Sequence, residues 1–360
     1  MKTIKLSLLI AAGLVLGAAT QAQVSLHLTG AVAFRGLAFS AITNLYTTGG
    51  AYLQNPSGNA STKNQVTWSG KIPALYGSQT VTIYANYNGA VAGVQNLAQG
   101  TPAAFLASPT NGITNLVNAT TDLAFSSVYQ ATTPYTSPVL NDTIIGATPV
   151  VWVKSINSPA AITNITAQQI NVFAANGVLP ASYFTGNASD TADIHFITRD
   201  ASAGQRLIVF RDAGFTGTPL EYTSPNNGTT WVADSTGITS TTTIVNALNA
   251  YGPAISYITP VDAINVTNGT VIAYNVVYPF TGSTLSSVSN NYAPVINGKY
   301  SLWGYEHILL PSGTSPSSNI GLLYGALTNA IVTGLTNYPY TLPYSALQVS
   351  RNADGGPVSP

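Results

Sequence analysis

The chain of 360 residues contains no cysteine and very few charged side chains. Without cysteine it can form neither a disulfide nor a thiolate metal site, so its stability must come from a hydrophobic core. Asp, Glu, Lys and Arg make up only 6% of the residues, against about 25% in an average globular domain. Glutamate occurs only as Glu221 and Glu306, and nothing indicates a catalytic pair of carboxylates.

Long apolar runs are also missing beyond the amino terminus, so we expect no membrane insertion. The first 22 residues combine Lys2 and Lys5 with an apolar segment and with small residues up to Ala22. This pattern is typical of a cleaved signal peptide, residues 1–22. No cysteine follows the cleavage position, so no lipid anchor is expected. We therefore predict a soluble protein that is periplasmic or secreted.

The charge balance argues against several classes of partner. Removal of Lys2 and Lys5 with the signal peptide leaves nine basic and eleven acidic residues, a net charge of about −2. Nucleic acids and anionic membranes bind basic surfaces, so we expect no nucleic-acid partner. The spacing of His27, His195 and His307 indicates no zinc site. No phosphate-binding loop or nucleophile elbow is present, and we predict no metal, no cofactor and no enzymatic activity.

Hydrophobic periodicity indicates a sheet flanked by helices. The amino-terminal third alternates between strand and helix patterns, which is typical of α/β folds. Residues 99–121 are rich in Pro, Asn and Thr and predict an inserted loop. Thr166 and Gln169 have the spacing of a capping box at the start of a helix. Ser202 and Gln205 repeat that spacing before a second helix.

A cluster of charges in residues 190–212 stands out in this charge-poor chain. It includes Arg199, whose planar guanidinium is suited to binding two oxygens at once. Small and hydroxyl residues follow other predicted strands, where helix amino ends offer unpaired N–H groups. Ligands of open α/β sheets bind beyond the carboxyl ends of the strands. These groups together predict a site for a small oxyanion, and the alternative is a structurally paired or solvated charge cluster.

Six segments carry small, hydroxyl or acidic residues at the ends of predicted elements. They are Leu28-Thr-Gly-Ala-Val-Ala-Phe34, Tyr87-Asn-Gly-Ala-Val-Ala-Gly-Val94, Thr121-Asp-Leu-Ala-Phe-Ser-Ser127, Asn164-Ile-Thr-Ala-Gln-Gln-Ile-Asn-Val-Phe173, Ile197-Thr-Arg-Asp-Ala-Ser-Ala-Gly-Gln205 and Gly252-Pro-Ala-Ile-Ser-Tyr257. In order and spacing these segments resemble those of periplasmic phosphate-binding proteins, the PstS type of class II solute-binding protein.

The resemblance implies a two-lobed α/β fold in which each lobe is a mostly parallel sheet flanked by helices, with a hinge between the lobes. Lobe one would comprise residues 23–145 and 258–360, and lobe two residues 146–257. The ligand would lie in the cleft between the lobes. The ligand-binding residues that it implies are Ala33, Phe34, Ala90, Ser127, Arg199, Ser202, Gly204 and Gln205.

Several of these positions depart from the family pattern. Ser127 stands where the family has the aspartate that accepts the proton of hydrogen phosphate, and Ala90 replaces a serine. The Ser-Gly-Thr that follows the family's arginine is Ala203-Gly204-Gln205 here. Side-chain ligands are therefore depleted, whereas Arg199 and the backbone positions are kept.

The function implied by the resemblance is that of an exported, non-catalytic protein that binds phosphate or a similar oxyanion. Such a protein would be a monomer, with an ABC-type membrane permease as a candidate partner. Two alternatives stay open. One is a secreted structural or interaction protein that has lost the ligand, and the other is an exported phosphoesterase that depends on Ser127. If the anion site is correct, Arg199→Ala should weaken anion binding and leave the fold intact.

Overall fold

The computed structural model describes residues 23–53, 64–110, 115–223, 230–250, 252–267, 269–282, 284–286 and 289–360. The predicted signal peptide, residues 1–22, lies outside the described residues. In the part of the chain that is described, no helix combines the length and the hydrophobicity that a membrane span requires.

Strands and helices alternate along most of the described chain. The strands are β1 (Val24–Gly30), β2 (Thr48–Leu53), β3 (Gln65–Lys71), β4 (Thr80–Asn86), β5 (Ala103–Leu106), β6 (Leu116–Ala119), β7 (Leu123–Ser126), β8 (Asn141–Pro149), β9 (Val151–Lys154), β10 (Asn164–Ile165), β11 (Val178–Pro180), β12 (Asp193–Phe196), β13 (Glu221–Thr223), β14 (Val232–Asp234), β15 (Ala254–Ile258), β16 (Thr270–Tyr274), β17 (Trp303–Leu310) and β18 (Leu342–Pro343). The helices are α1 (Arg35–Leu45), α2 (Pro73–Tyr76), α3 (Ala90–Gln99), α4 (Ala167–Asn176), α5 (Ser182–Thr185), α6 (Gly204–Ala213), α7 (Thr241–Ala250), α8 (Pro260–Ala263), α9 (Ala293–Ile296) and α10 (Asn319–Leu335).

Two large sheets organise these elements. The first contains eight strands in the order β18-β8-β17-β7-β1-β4-β3-β2, and the second contains six in the order β10-β16-β9-β15-β12-β11. The chain leaves the first sheet at Val150, between β8 and β9, and returns to it after Tyr274, between β16 and β17. The chain therefore passes from the first sheet to the second at residue 150 and back after residue 274. The predicted lobe boundaries were residues 146 and 258. The division into lobes itself stays a prediction, and we place its boundaries at these two crossings.

The strand directions differ from the mostly parallel sheets that we predicted. In the first sheet β1 is parallel to β4 and β7, but β17 is antiparallel to β7 and β8. In the second sheet β9 is antiparallel to both β15 and β16. Both sheets are therefore mixed, since the second sheet also contains the parallel pairs β10/β16 and β12/β15. Strands β2, β3 and β4 add an antiparallel meander.

The described part of residues 99–121 contains more than the predicted loop. Strands β5 and β6 pair antiparallel there, and Phe105 on β5 is fully buried. The Phe105 ring packs on the ring of His27, with centroids 4.9 Å apart. Strand β5 has the sequence Ala-Ala-Phe-Leu, in which no alternation of apolar and polar residues indicates a strand.

The hydrophobic core runs through both sheets. Trp68 and Trp303 in the first sheet and Trp152 in the second are each no more than 1% exposed. In the second sheet, the Trp152 ring contacts the rings of Phe196 and Tyr257, with centroids 6.2 and 5.4 Å apart. The Phe196 ring also contacts Phe173 of α4 and Phe210 of α6. These aromatic rings therefore pack both helices onto the second sheet.

One of the two predicted capping boxes is confirmed. Thr166 Oγ1 accepts a hydrogen bond from the Gln169 backbone N–H (N···O 3.1 Å), and Gln169 Oε1 accepts one from the Thr166 N–H (2.9 Å). The second box is wrong. Helix α6 begins at Gly204 without a side-chain cap, because the Ser202 hydroxyl donates to the Asp200 carboxylate instead (2.7 Å).

Thr166→Ala should lower the free energy of unfolding by about 1 kcal/mol, since it leaves a helix N–H without its acceptor. Urea denaturation followed by circular dichroism measures this change. Thr166→Ser keeps the acceptor oxygen and should retain most of the stability. An alanine variant with the wild-type midpoint would show that the box does not contribute.

Candidate functional site

The segments predicted to bind the ligand meet where the two sheets face each other. The Val91 N–H, in the first turn of α3, donates to the Ser202 carbonyl oxygen (3.0 Å). Gly204, at the amino end of α6, is packed so closely that a Cβ there would overlap Ser127 Oγ and stand 3.0 Å from Ala90 Cβ. The structure therefore brings Ala90, Ser127, Ser202 and Gly204 together from the two predicted lobes.

Backbone of the two predicted lobes comes into close contact at this junction. Gly89 has φ +115°, a conformation that glycine adopts most readily, and a Cβ there would stand 2.5 Å from the Ser202 carbonyl oxygen. That oxygen carries partial negative charge and lies at the positive end of the α3 dipole. The start of α3 therefore has a backbone acceptor from the other predicted lobe, and binding of an oxyanion at this junction stays a prediction.

Arg199 is buried, at 2% exposure, and its guanidinium is held by the segment before and within α7. Nε donates to the Ile238 carbonyl (3.0 Å), Nη2 to the Thr239 carbonyl (3.2 Å) and Nη1 to Thr241 Oγ1 (2.7 Å). The Asp200 carboxylate lies 3.7 Å from Nη2. Arg199 therefore has a structural role, because it ties the end of β12 to the start of α7. Its ligand role stays a prediction.

The other predicted residues lie at the amino ends of two helices. Phe34 is the N-cap of α1, and its ring packs on Phe125 with centroids 5.6 Å apart. Ala33 precedes it and lines a cavity beside α1. Gln205 is the second residue of α6 and is 5% exposed.

Most of the remaining charges in the cluster at residues 190–212 are structurally paired. Arg206 Nη1 donates to both Glu221 carboxylate oxygens (3.1 Å each). The Asp212 carboxylate accepts hydrogen bonds from the Tyr274 hydroxyl (2.6 Å) and the Ser301 hydroxyl (3.0 Å). The alternative of a structurally paired cluster therefore describes these residues. Among the described residues, no three His, Asp or Glu side chains are grouped so that they could hold a metal ion.

An open cavity of about 370 Å³ lies beside the predicted site, between α1 and α8. Helix α1 packs on α10 at the first sheet, whereas α8 contacts β9 of the second sheet, so the cavity walls come from both sheets. The lining residues with polar or aromatic side chains include Arg35, Asp262, Asn265, Tyr338 and Tyr340.

Arg35 and Asp262 give this cavity one positive and one negative side chain. Burial lowers the pKa of Arg35, and the charge of Asp262 acts in the opposite direction. Burial raises the pKa of Asp262, against the effects of a hydrogen bond from Thr259 and of the nearby Arg35 and Arg199 charges. The Thr259 hydroxyl donates to Asp262 Oδ2 (2.8 Å), and Arg35 Nη1 donates to Asn64 Oδ1 (2.6 Å).

Sequence reasoning missed both of these charged residues. Arg35 directly follows Phe34, a predicted ligand residue, and the rarity of charge in this chain was a usable signal. Asp262 follows β15 at the carboxyl end of a strand, where ligands of α/β sheets bind. It shares a cavity with Arg35 because α8 and α1 lie on two sides of that cavity, an arrangement that local sequence patterns do not reveal.

Comparison with known proteins clarifies the fold. The sequence matches no protein-family model and shows no significant similarity to any curated protein. An ABC-type phosphate transport receptor from Vibrio cholerae superposes with a TM-score of 0.50 at 14% identity, over 86% of this chain and 97% of the receptor. The chain has the fold of the phosphate-binding proteins.

A second solved structure supports the same assignment of this two-lobed fold. It is a phosphate ABC transporter substrate-binding protein from Clostridium perfringens with bound phosphate, and its TM-score is 0.50 at 12% identity, over 88% of this chain and 99% of that protein. The two-lobed α/β fold that we predicted is therefore confirmed, with mixed rather than mostly parallel sheets. At these identities the likeness concerns the fold alone.

Proposed function

We propose that this chain is an exported, non-catalytic solute-binding protein whose ligand occupies the cavity between α1 and α8. The observation that carries the proposal is this cavity of about 370 Å³, walled by elements of both sheets and containing Arg35 and Asp262. Its volume lies in the range of about 300–1,000 Å³ that is usual for small-molecule sites. The fold supports the proposal, because the two structural neighbours are named for phosphate transport.

The amino end of α1 provides the chemistry for an anionic group. Helix α1 begins without a side-chain cap and without an acidic residue in its first turn, so its own side chains leave the positive end of its dipole unneutralised. Arg35 and Gly36 of this turn, and Ala33 just before the helix, line the cavity. Backbone N–H groups at a helix start and a guanidinium are established partners of carboxylate and phosphate oxygens. We therefore place the oxyanion group of the ligand here, beside the position that the resemblance implied.

One observation favours the alternative of a structural or interaction protein that has lost its ligand. The hydrogen bond from Val91 to Ser202 and the close approach of Gly204 to Ser127 bring the segments implied for phosphate binding into contact with each other. On this alternative the cavity between α1 and α8 is a surface feature without affinity. An ABC-type permease partner and a monomeric state remain predictions that belong to the binding function only.

Isothermal titration calorimetry with phosphate, sulfate, arsenate and small carboxylates tests the proposal. We expect at least one of these anions to bind with a Kd below ~1 mM, which corresponds to ~4 kcal/mol. Arg35→Gln should weaken that binding about tenfold or more, because it removes a charge-assisted hydrogen bond. Lys71→Gln is the matched control, since Lys71 is exposed on β3 and does not line the cavity. Absence of binding across the panel would favour the structural alternative, and turnover of a phosphomonoester would contradict the non-catalytic role.

A further inference from the structure

The cavity between α1 and α8 presents opposite charges on walls that belong to different sheets. Arg35 is on α1 and Asp262 is on α8, and both line the same space. We infer that the ligand is a small zwitterion, whose carboxylate binds at Arg35 and the start of α1 and whose ammonium group binds at Asp262. The inference rests on the proposed function, because it names the ligand class of that same site.

The carboxylate of Asp262 makes a fully ionised inorganic anion a poor occupant. Sulfate in this space would face a negative side chain, and like charges at close range are repelled. An ammonium group removes this conflict and adds a charge-assisted hydrogen bond. Thr259 already donates to Oδ2 of Asp262, which fixes the orientation of the carboxylate on the cavity wall.

The burial of Asp262 also favours an ammonium group as its partner. A partly desolvated carboxylate is costly to ionise, and burial accordingly raises the pKa of Asp262, although the Arg35 and Arg199 charges act against that shift. A bound ammonium group would favour the ionised carboxylate and offset that cost. Binding of such a ligand near neutral pH should therefore stabilise the charged form of Asp262.

The remaining wall suits the organic part of the ligand. The rings of Tyr338 and Tyr340 line the cavity and meet edge to face, with centroids 5.4 Å apart. Burial raises the pKa of Tyr338, so its hydroxyl stays neutral and can donate a hydrogen bond. Aromatic faces bind methylene groups and attract cations. A cavity of about 370 Å³ has room for a short carbon chain between the two charged groups, which a tetrahedral ion would leave empty.

Calorimetry with matched compounds tests the ligand class. The probes are glycine, β-alanine, γ-aminobutyrate and neutral L-amino acids, with propionate and propylamine as compounds of single charge, and phosphate as the inorganic anion. We expect one zwitterion to bind at least about tenfold tighter than propionate and than phosphate, since it makes one more charge-assisted contact. Asp262→Asn should abolish this advantage and leave the weaker binding of propionate.

Two further variants control for the loss of a carboxylate elsewhere in the protein and for a failure of Asp262→Asn to fold. Asp193→Asn is the matched control, because Asp193 is exposed on β12 and does not line the cavity; it should bind like wild type. Asp262→Glu retains the charge and serves if Asp262→Asn fails to fold. It should still prefer zwitterions over propionate, with a changed preference for chain length.

The outcomes separate the inference from the proposed function. Equal affinity for propionate and the zwitterions, or phosphate binding tighter than every zwitterion, would overturn the inference. Either result would still support the proposed function if Arg35→Gln weakens the binding of the probe that binds. Failure of every probe to bind would overturn both.

Discussion

Arg199→Ala should lower the free energy of unfolding by about 3–5 kcal/mol, the loss typical of removing one partner from a buried charged network. The substitution leaves the Ile238 and Thr239 carbonyls and the Thr241 hydroxyl without their buried donor. It also opens a cavity at a side chain that is 2% exposed. The expectation from sequence was the opposite, namely an intact fold with weakened anion binding.

Urea denaturation followed by near-ultraviolet and far-ultraviolet circular dichroism measures this loss. Arg199→Lys should recover little of the stability, because one ammonium group cannot reach three acceptors that are arranged around a planar guanidinium. Lys71→Ala, at an exposed position on β3, should leave the midpoint unchanged. If Arg199→Ala kept the wild-type midpoint and lost anion binding, the structural role that we assign to Arg199 would be wrong.

Glu306→Gln should make the protein more stable than wild type at alkaline pH. Glu306 lies on β17, is 1% exposed, and neither of its carboxylate oxygens has a hydrogen-bond partner of standard geometry. Burial raises the pKa of Glu306 to about 8, which the nearby Thr148 hydroxyl offsets only in part. The folded protein thus holds this proton more tightly than the unfolded chain does.

The sign of the pH dependence follows from that difference. The contribution of protonated Glu306 is fully present below its unfolded pKa of 4.5 and is lost as the pH rises towards about 8. Each unit of pKa difference is worth about 1.4 kcal/mol, so wild type should lose roughly 4 kcal/mol through this group between pH 5 and 9. Glu221, whose pKa burial raises to about 7 against the effect of Arg206, should add a smaller loss of the same sign.

Unfolding free energies measured at pH 5, 7 and 9 test this expectation. Wild type and Glu306→Gln should agree at pH 5 and diverge as the pH rises, with the variant several kcal/mol more stable at pH 9. Asp193→Asn, which changes an exposed carboxyl, should follow the wild-type curve. Parallel curves for wild type and Glu306→Gln would show that Glu306 ionises without cost in the folded protein.

Local patterns predicted the elements well and the sheet directions poorly. The alternation of strands and helices and the capping box at Thr166 were found because spacing along a strand or helix is a property of neighbouring residues. The antiparallel course of β9 and β17 was missed. It depends on how the chain crosses between the two sheets, and strand composition carries no signal for direction.

In the candidate site, too, local patterns revealed some residues, whereas others are brought together only by tertiary packing. The order of the resembling segments located Ala90, Ser127, Ser202 and Gly204 at one junction. The partners of Arg199 at residues 238–241 lie about forty residues further along the chain, in a polar segment without periodicity. The residues of the adjoining cavity were missed for the same reason, since their proximity arises only from tertiary packing.

The hydrogen bond from the Val91 N–H to the Ser202 carbonyl joins the start of α3 to the segment before α6, and thus connects the two predicted lobes. In a hinged clamp the solute usually supplies the contacts that favour the shut form over the open one. If the predicted lobes close about a hinge, this main-chain bond would favour the shut form without a ligand. A solute that binds beside α1 would then have little closure to drive. The predicted permease, if it sensed only how far the lobes had shut, would receive the same signal with and without the solute.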